Sequence, residues 1–166
     1  MNYGLDIEQF RSYVIRPAIQ RIGLQSAAAE NLLLGTAMQE SRLTYLAQLG
    51  RGPALGVFQM EPATHDSLWK HSIPGIRGLD SKLHQVSGFY GYDAVPPAGE
   101  MVANMAYAAA MARVRYLIAP AQLPFQNDPY AMASYWKRWY NTPDGKGTVD
   151  EALPHFQRAC KIGVIP

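Results

Sequence analysis

The sequence predicts a mainly α-helical single domain, and three observations predict it. Apolar residues recur at three- and four-residue spacing in separate stretches, as at Ile7, Phe10, Tyr13 and Val14 and again from Leu32 to Met38. Residues that start helices stand ahead of such stretches at Asp6, Ser26, Asp128 and Thr148. No run alternates apolar and polar residues long enough to make a strand, which leaves room for at most a short β-hairpin in 45–60 or 86–95. The chain has 166 residues, 48% of them hydrophobic, enough for one core, so the domain is expected to span 1–166.

Asp6 caps the first helix, which either stops before Pro17 or continues with Pro17 in its first turn as far as Ile22, where Gly23 closes it. Ser26 begins the second, with Ala27, Ala28 and Ala29 as strong helix formers and Glu30 suited to the N-terminal end. Leu32, Leu33, Leu34, Ala37, Met38 and Leu43 make this helix apolar over most of its circumference, the pattern of a central buried helix. Gly35 within it is expected to admit another backbone at close range.

A loop punctuated by Gly50, Gly52, Pro53 and Gly56 comes next, and Pro62 opens a helix through His65 to about Trp69. Residues 70–99, rich in Gly and Pro, read as a long surface excursion with one short helix near 81–86. The run from Glu100 to Ile118 reads as one Ala-rich helix stopped before Pro120, small enough in section to pack tightly against the central helix. Asp128-Pro129 opens a helix through Tyr135 towards Tyr140. Thr148 and Glu151 have capping-box spacing for a last helix, 149–161.

Composition excludes several classes of function. Lys and Arg are scattered, and the formal net charge is only +2, which suits an anionic polymer but gives no nucleic-acid footprint. Cys160 is alone, so there is no internal disulfide and no Cys-based metal site. His65, His71, His84 and His155 lack metal spacing, and Ser41 and Ser67 lack the setting of an activated nucleophile. Gly50, Gly52 and Gly56 lack the Lys and Ser/Thr of a phosphate loop. No cofactor or metal is expected. The N-terminus does not read as a secretory signal, and no stretch has the apolar length of a membrane span.

Glu40 is where chemistry is expected. It ends the apolar helix, and burial would raise its pKa and keep a proton available near neutrality. Arg42, two positions on, points to a different side of a helix and would not cancel that shift. Beyond it the chain runs in a telling order: Glu40-Ser41, then Gly56-Val57-Phe58-Gln59, then Pro62 and Thr64. That order resembles the first two motifs of the lytic transglycosylases and goose-type lysozymes. Val57 stands where that group has Leu, and Phe58 where it has Met. A third motif, an Ala-rich helix ending in Tyr-Leu, looks like 104–117. The fourth, Ala-Tyr-Asn-Ala-Gly, is met at Ala133-Ser134-Tyr135 with Trp136 in place of Asn, or at Trp139-Tyr140-Asn141.

The resemblance implies a lysozyme-like helical fold and cleavage of peptidoglycan glycan strands at the β-1,4 link between N-acetylmuramic acid and N-acetylglucosamine. Glu40 would be the sole catalytic acid/base. Ser41, Gly56, Phe58 and Gln59 would contact substrate, with Gly56 letting the loop pass close to the glycan. Tyr135 or Tyr140 would hold the carboxyl in position. Gln59 has an ordinary reading as a cap for the Pro62 helix, and Tyr135 as a core aromatic.

A conventional glycosidase would need a second carboxylate, for which Glu61, Asp66, Asp80, Asp93 and Glu100 are the candidates; Glu61 is adequately explained as a helix-start residue. The transglycosylase group needs none, since the substrate's own acetamido and 6-hydroxyl serve, and this non-hydrolytic outcome ranks above a hydrolysing muramidase or an inactive glycan-binding virion module. Trp69, Trp136, Trp139 and Tyr140 could line a sugar groove, and 89–92, with Phe89, Tyr90 and Tyr92, is the best candidate for its wall. The resemblance and the missing signal together point to a phage or prophage product. Such a product would be held in the host cytoplasm until holin-dependent release, or carried in the virion.

Overall fold

Asp6 accepts from the Gln9 backbone N–H at 2.9 Å and starts the first helix in the computed structural model of the protein, which describes residues 2–90 and 94–162. This helix, α1, is continuous through Ile7–Gln9, a π-helical Phe10–Ile15 and Arg16–Arg21. Pro17 therefore continues the helix rather than ending it. Its ring has no N–H to bond the preceding turn, and the wider π turn ahead of it takes up that loss. The same wide turn breaks the 3.6-residue register, so Tyr13 is exposed rather than on the buried face.

The remaining helices are α2 (Ala27–Ser41), α3 (Pro62–Ser67, extended by a π-helical Leu68–Ser72 and a 3-10 turn Ile73–Gly75), α4 (Leu79–Ser87), α5 (Glu100–Ala103), α6 (Met105–Leu117), α7 (Pro129–Trp136, extended by a π-helical Lys137–Asn141) and α8 (Val149–Lys161). The protein is mainly α-helical, and among the described residues no strand forms. Two isolated antiparallel bridges, Ala47 with Leu55 and Leu55 with Met60, are what 45–60 makes of the hairpin pattern. The alternative at 86–95 lies partly outside the described residues.

Ser26 caps α2 through the Ala29 N–H at 3.1 Å, and every residue from Ala29 to Met38 is buried. The helix is thus wrapped on all sides, its closest neighbour being α8, against which α7 also packs. Gly35 explains that closeness differently from expectation. A Cβ there would lie 2.2 Å from the Phe156 ring, so the glycine admits an aromatic side chain of α8 and not a backbone. The Ala-rich α6 is a second neighbour of α2, its run from Tyr107 to Val114 buried throughout.

Three expectations need correction here. The helix expected over 100–118 is broken at Asn104, whose side chain caps α6 through the Tyr107 N–H at 2.9 Å and donates to the Val86 carbonyl at 2.9 Å. Residues 70–90 are no loose excursion, because Ile73, Leu79, Leu83 and Val86 are buried in the common core. Trp69 is no groove aromatic: it is buried, and its indole donates to the Tyr107 hydroxyl at 2.8 Å. That hydroxyl also meets His65 Nε2 at 2.7 Å, and His65 Nδ1 meets Asp66 at 2.8 Å, which ties α3 to α6. Among the described residues no helix is long and apolar enough to cross a membrane, and no group of His, Cys, Asp and Glu could hold a metal ion.

Candidate active site

The C-terminal end of α2 opens onto a cleft of about 700 Å³. The helix stops because Arg42 and Leu43 adopt left-handed backbone angles, φ 52° and 54°, turning the chain away and leaving Glu40 at the cleft floor. Arg42 is exposed and does not pair with it. Around Glu40 the cleft is lined by Gln39, Tyr45, Gln48 and Leu49, by Gln59, Met60, Glu61 and Thr64, by Arg115 of α6, and by Tyr140 with the loop from Asn141 to Gly147.

The Glu40 side chain is surrounded by protein on all sides but the cleft. Burial pushes its carboxyl up to about 7, against the opposing pull of one hydrogen bond, from the Trp136 indole Nε1–H to Oε1 at 2.8 Å. Near neutrality this group is divided between acid and carboxylate, so it can both give and take a proton. Trp136 is 1% exposed and stacks at a tilt on Phe156, so α7 and α8 together hold the donor. Gly147 lets the cleft loop lie on the same indole: a Cβ there would be 2.7 Å from the ring edge. Lys137 fixes that loop by donating to Asn141 Oδ1 at 2.9 Å and to the Gly145 carbonyl at 2.7 Å.

Several residues expected to contact substrate make a clamp behind the site instead. Ser41 is 1% exposed, and its hydroxyl donates to the Val57 carbonyl at 2.7 Å while accepting from the Leu43 N–H at 3.1 Å. Phe58 is buried against Phe10, and its carbonyl accepts from the Tyr140 hydroxyl at 2.8 Å. The two hydroxyls thus pin consecutive carbonyls of the 56–59 turn. Gly56, at φ 70°, approaches Met101 and not the cleft: a Cβ would lie 2.3 Å from the Met101 carbonyl oxygen.

The clamped turn holds Gln59 at φ 47°, a left-handed conformation that costs a non-glycine residue about 1 kcal/mol. Gln59 does line the cleft. Its amide donates to the Gly56 carbonyl at 2.8 Å, so it closes its own turn rather than capping the Pro62 helix, and its amide oxygen has no hydrogen-bond partner among the described residues.

Of the two candidate tyrosines, Tyr140 lies by Glu40 and Tyr135 does not. The Tyr135 hydroxyl donates to the Ala121 carbonyl at 2.8 Å, and its ring packs on Tyr116 at 5.7 Å. Tyr140 lines the cleft, but its hydroxyl is taken by Phe58, so neither tyrosine hydrogen-bonds the carboxyl. Trp136, a departure from the expected Asn, occupies that role. A signal for it is present in the sequence: Trp136 and Tyr140 are four apart and share a helical face.

Among the candidate second carboxylates, Asp66 is bound to His65, neither Asp80 nor Glu100 lines the cleft, and Asp93 lies outside the described residues. Glu61 does line the cleft, and it makes no side-chain cap to α3, contrary to its expected role at the helix start. Phe89, Tyr90 and Trp139 form no part of the cleft wall, and Tyr92 is outside the described residues. Tyr45, Arg115 and Lys146 are cleft residues that the sequence does not single out. The chain matches no protein-family model, no curated protein and no solved structure.

Proposed function

We propose that the protein cleaves peptidoglycan glycan strands at the link between N-acetylmuramic acid and N-acetylglucosamine, as a lytic transglycosylase with Glu40 as its one acid/base. The observation that carries this is the Glu40 carboxyl, pushed up to about 7 by burial and facing a cleft of about 700 Å³, within the size range of a small-ligand site. Glu40 gives its proton to the glycosidic oxygen as the C1–O bond breaks, and the substrate's acetamido oxygen takes up the bond to C1. The 6-hydroxyl then attacks C1, the acetamido oxygen leaves, and the Glu40 carboxylate takes the hydroxyl proton. A 1,6-anhydro end results, with the catalyst restored.

Glu61 supports a second reading, hydrolysis, in which it would activate a water from the cleft rim. Transglycosylation ranks first because Glu61 is exposed, whereas Glu40 is held at the cleft floor with its carboxyl pushed up to about 7 by burial. Delivery to the wall, by holin-dependent release or within a virion, is part of what the resemblance implies. The test is clearance of a purified cell-wall suspension and mass analysis of the fragments. Anhydro ends are expected, reducing ends would favour hydrolysis, and Glu40→Gln should lower clearance by at least about a thousandfold. Clearance undiminished in that variant would remove Glu40 from the mechanism, and a native chain that clears no wall would remove this function.

A further inference from the structure

Building on Glu40 as the acid, we propose that Trp136 is a positioning residue that selects which carboxyl oxygen carries the proton: Oε1 is tied to the indole, so Oε2 delivers it. An indole N–H only donates, so the oxygen it meets must accept. In a carboxylic acid the carbonyl oxygen is the better acceptor and the hydroxyl oxygen a poor one. The 2.8 Å bond therefore makes Oε1 the carbonyl oxygen of the neutral acid and leaves the O–H on Oε2. Oε2 has no hydrogen-bond partner among the described residues and is not sealed from solvent, so it opens onto the cleft that Glu40 lines.

The donor cannot easily swing away. Its ring is buried, packs on Phe156, and is pressed at its edge by the backbone of Gly147. Nor does another group compete for Oε1. The titratable and charged groups facing Glu40 from its own and neighbouring elements are Arg42, Tyr45, Glu61, Arg115, Tyr116, Tyr140 and Lys146, and the exposed Tyr45 makes no hydrogen bond to the carboxyl. The Tyr116 hydroxyl meets Thr36 Oγ1 at 2.7 Å and the Tyr140 hydroxyl is given to Phe58, while none of the four charged side chains bonds the carboxyl.

The test is a titration of the ¹³C-labelled Glu40 carboxyl by NMR, assigned with Glu40→Gln. It compares the native chain, Trp136→Phe, and a chain with 3-benzothienylalanine at 136, which keeps the ring shape and puts sulfur in place of N–H. The N–H stabilises the charged form, so its loss should raise the midpoint by roughly one pH unit. The alkaline limb of the clearance profile should move up with it, and kcat should fall with KM little changed. A midpoint and profile unmoved in the folded sulfur analogue, with Glu40→Gln inactive, would overturn this assignment and leave the role of Glu40 standing. Clearance that survives Glu40→Gln would overturn the underlying reading and this one together.

Discussion

Glu30 and Glu40 lie near opposite ends of α2, both shielded by the same core, yet their acidities part in opposite directions. Burial would raise both. At Glu30 it is outweighed by hydrogen bonds from Arg16, Gln25 and Arg11, and that carboxyl falls below its ordinary range. Arg11 and Arg16 approach at 3.1 Å each, and Arg11 goes on to bind Asn31 at 2.6 Å and the Ile162 carbonyl at 2.8 Å. At Glu40 one neutral indole N–H is all that opposes burial. The helix dipole acts in the same sense, favouring charge near the N-terminus and disfavouring it near the C-terminus. Depth alone therefore decides nothing; the number of cationic donors in contact separates a carboxyl held below its ordinary range from one pushed up to about 7.

The same substitution at the two sites should accordingly have opposite effects on stability. Glu30→Gln strands two arginines, one of them buried, and should cost about 3–5 kcal/mol in chemical denaturation at neutral pH. The native contribution of Glu30 is present above the ordinary carboxyl range and is lost as pH falls through its lowered folded value. A cost under about 1 kcal/mol would mean that the pair is no tighter than a surface bridge.

Glu40→Gln should stabilise. The folded state holds the Glu40 proton up to about pH 7 whereas the unfolded chain releases it near 4.5, so native stability declines between those values as pH rises. The variant escapes that decline and should exceed the native chain by up to about 3 kcal/mol at pH 8, with little gain at pH 4. Denaturation at both pH values checks it, and a gain equal at the two would trace to packing rather than to the proton. An inactive variant more stable than its parent is the combination expected of a residue kept for chemistry.

Features set by neighbours in the chain can be read from the sequence. The caps at Asp6, Ser26, Asp128 and Thr148 each satisfy an N–H three residues on, and that local need is visible in the letters. Glu40 can be singled out for a similar reason, because the apolar run before it dictates a buried helix. Asn104 cannot, since helix propensity favours an unbroken Ala-rich run and the carbonyls that hold its side chain belong to Val86 and Ser87. Residues 70–90 are obscured because Gly and Pro dilute the four core residues that anchor them. The roles of Ser41, Phe58 and Gly56 escape the sequence for one physical reason: their partners, Val57, Tyr140 and Met101, are met only once the loop folds back on α2.

The last difference between the two ends concerns the cations themselves. Those near Glu30 are consumed by it, whereas Arg42, Arg115 and Lys146 line the Glu40 cleft without an ion-pair partner among the described residues, and none of them contributes to the shift at Glu40. Under the proposed function they would meet charge on the ligand, for a peptidoglycan strand differs from a neutral chitin chain in the carboxylates of its lactyl groups and stem peptides. Replacing Arg115 and Lys146 together by Ala should weaken binding of a stem-bearing glycan fragment roughly two- to fivefold at low salt, the range of partly exposed charge pairs. Binding of a neutral chitin oligomer should stay unchanged. Raising the salt should erase the difference between native and variant chains, since the Debye length shrinks to about 3 Å at 1 M. The Glu40 titration midpoint should not move in this variant. If it does, the cations act on the acid as they do at the other end of the helix, and the separation drawn between the two ends is too sharp.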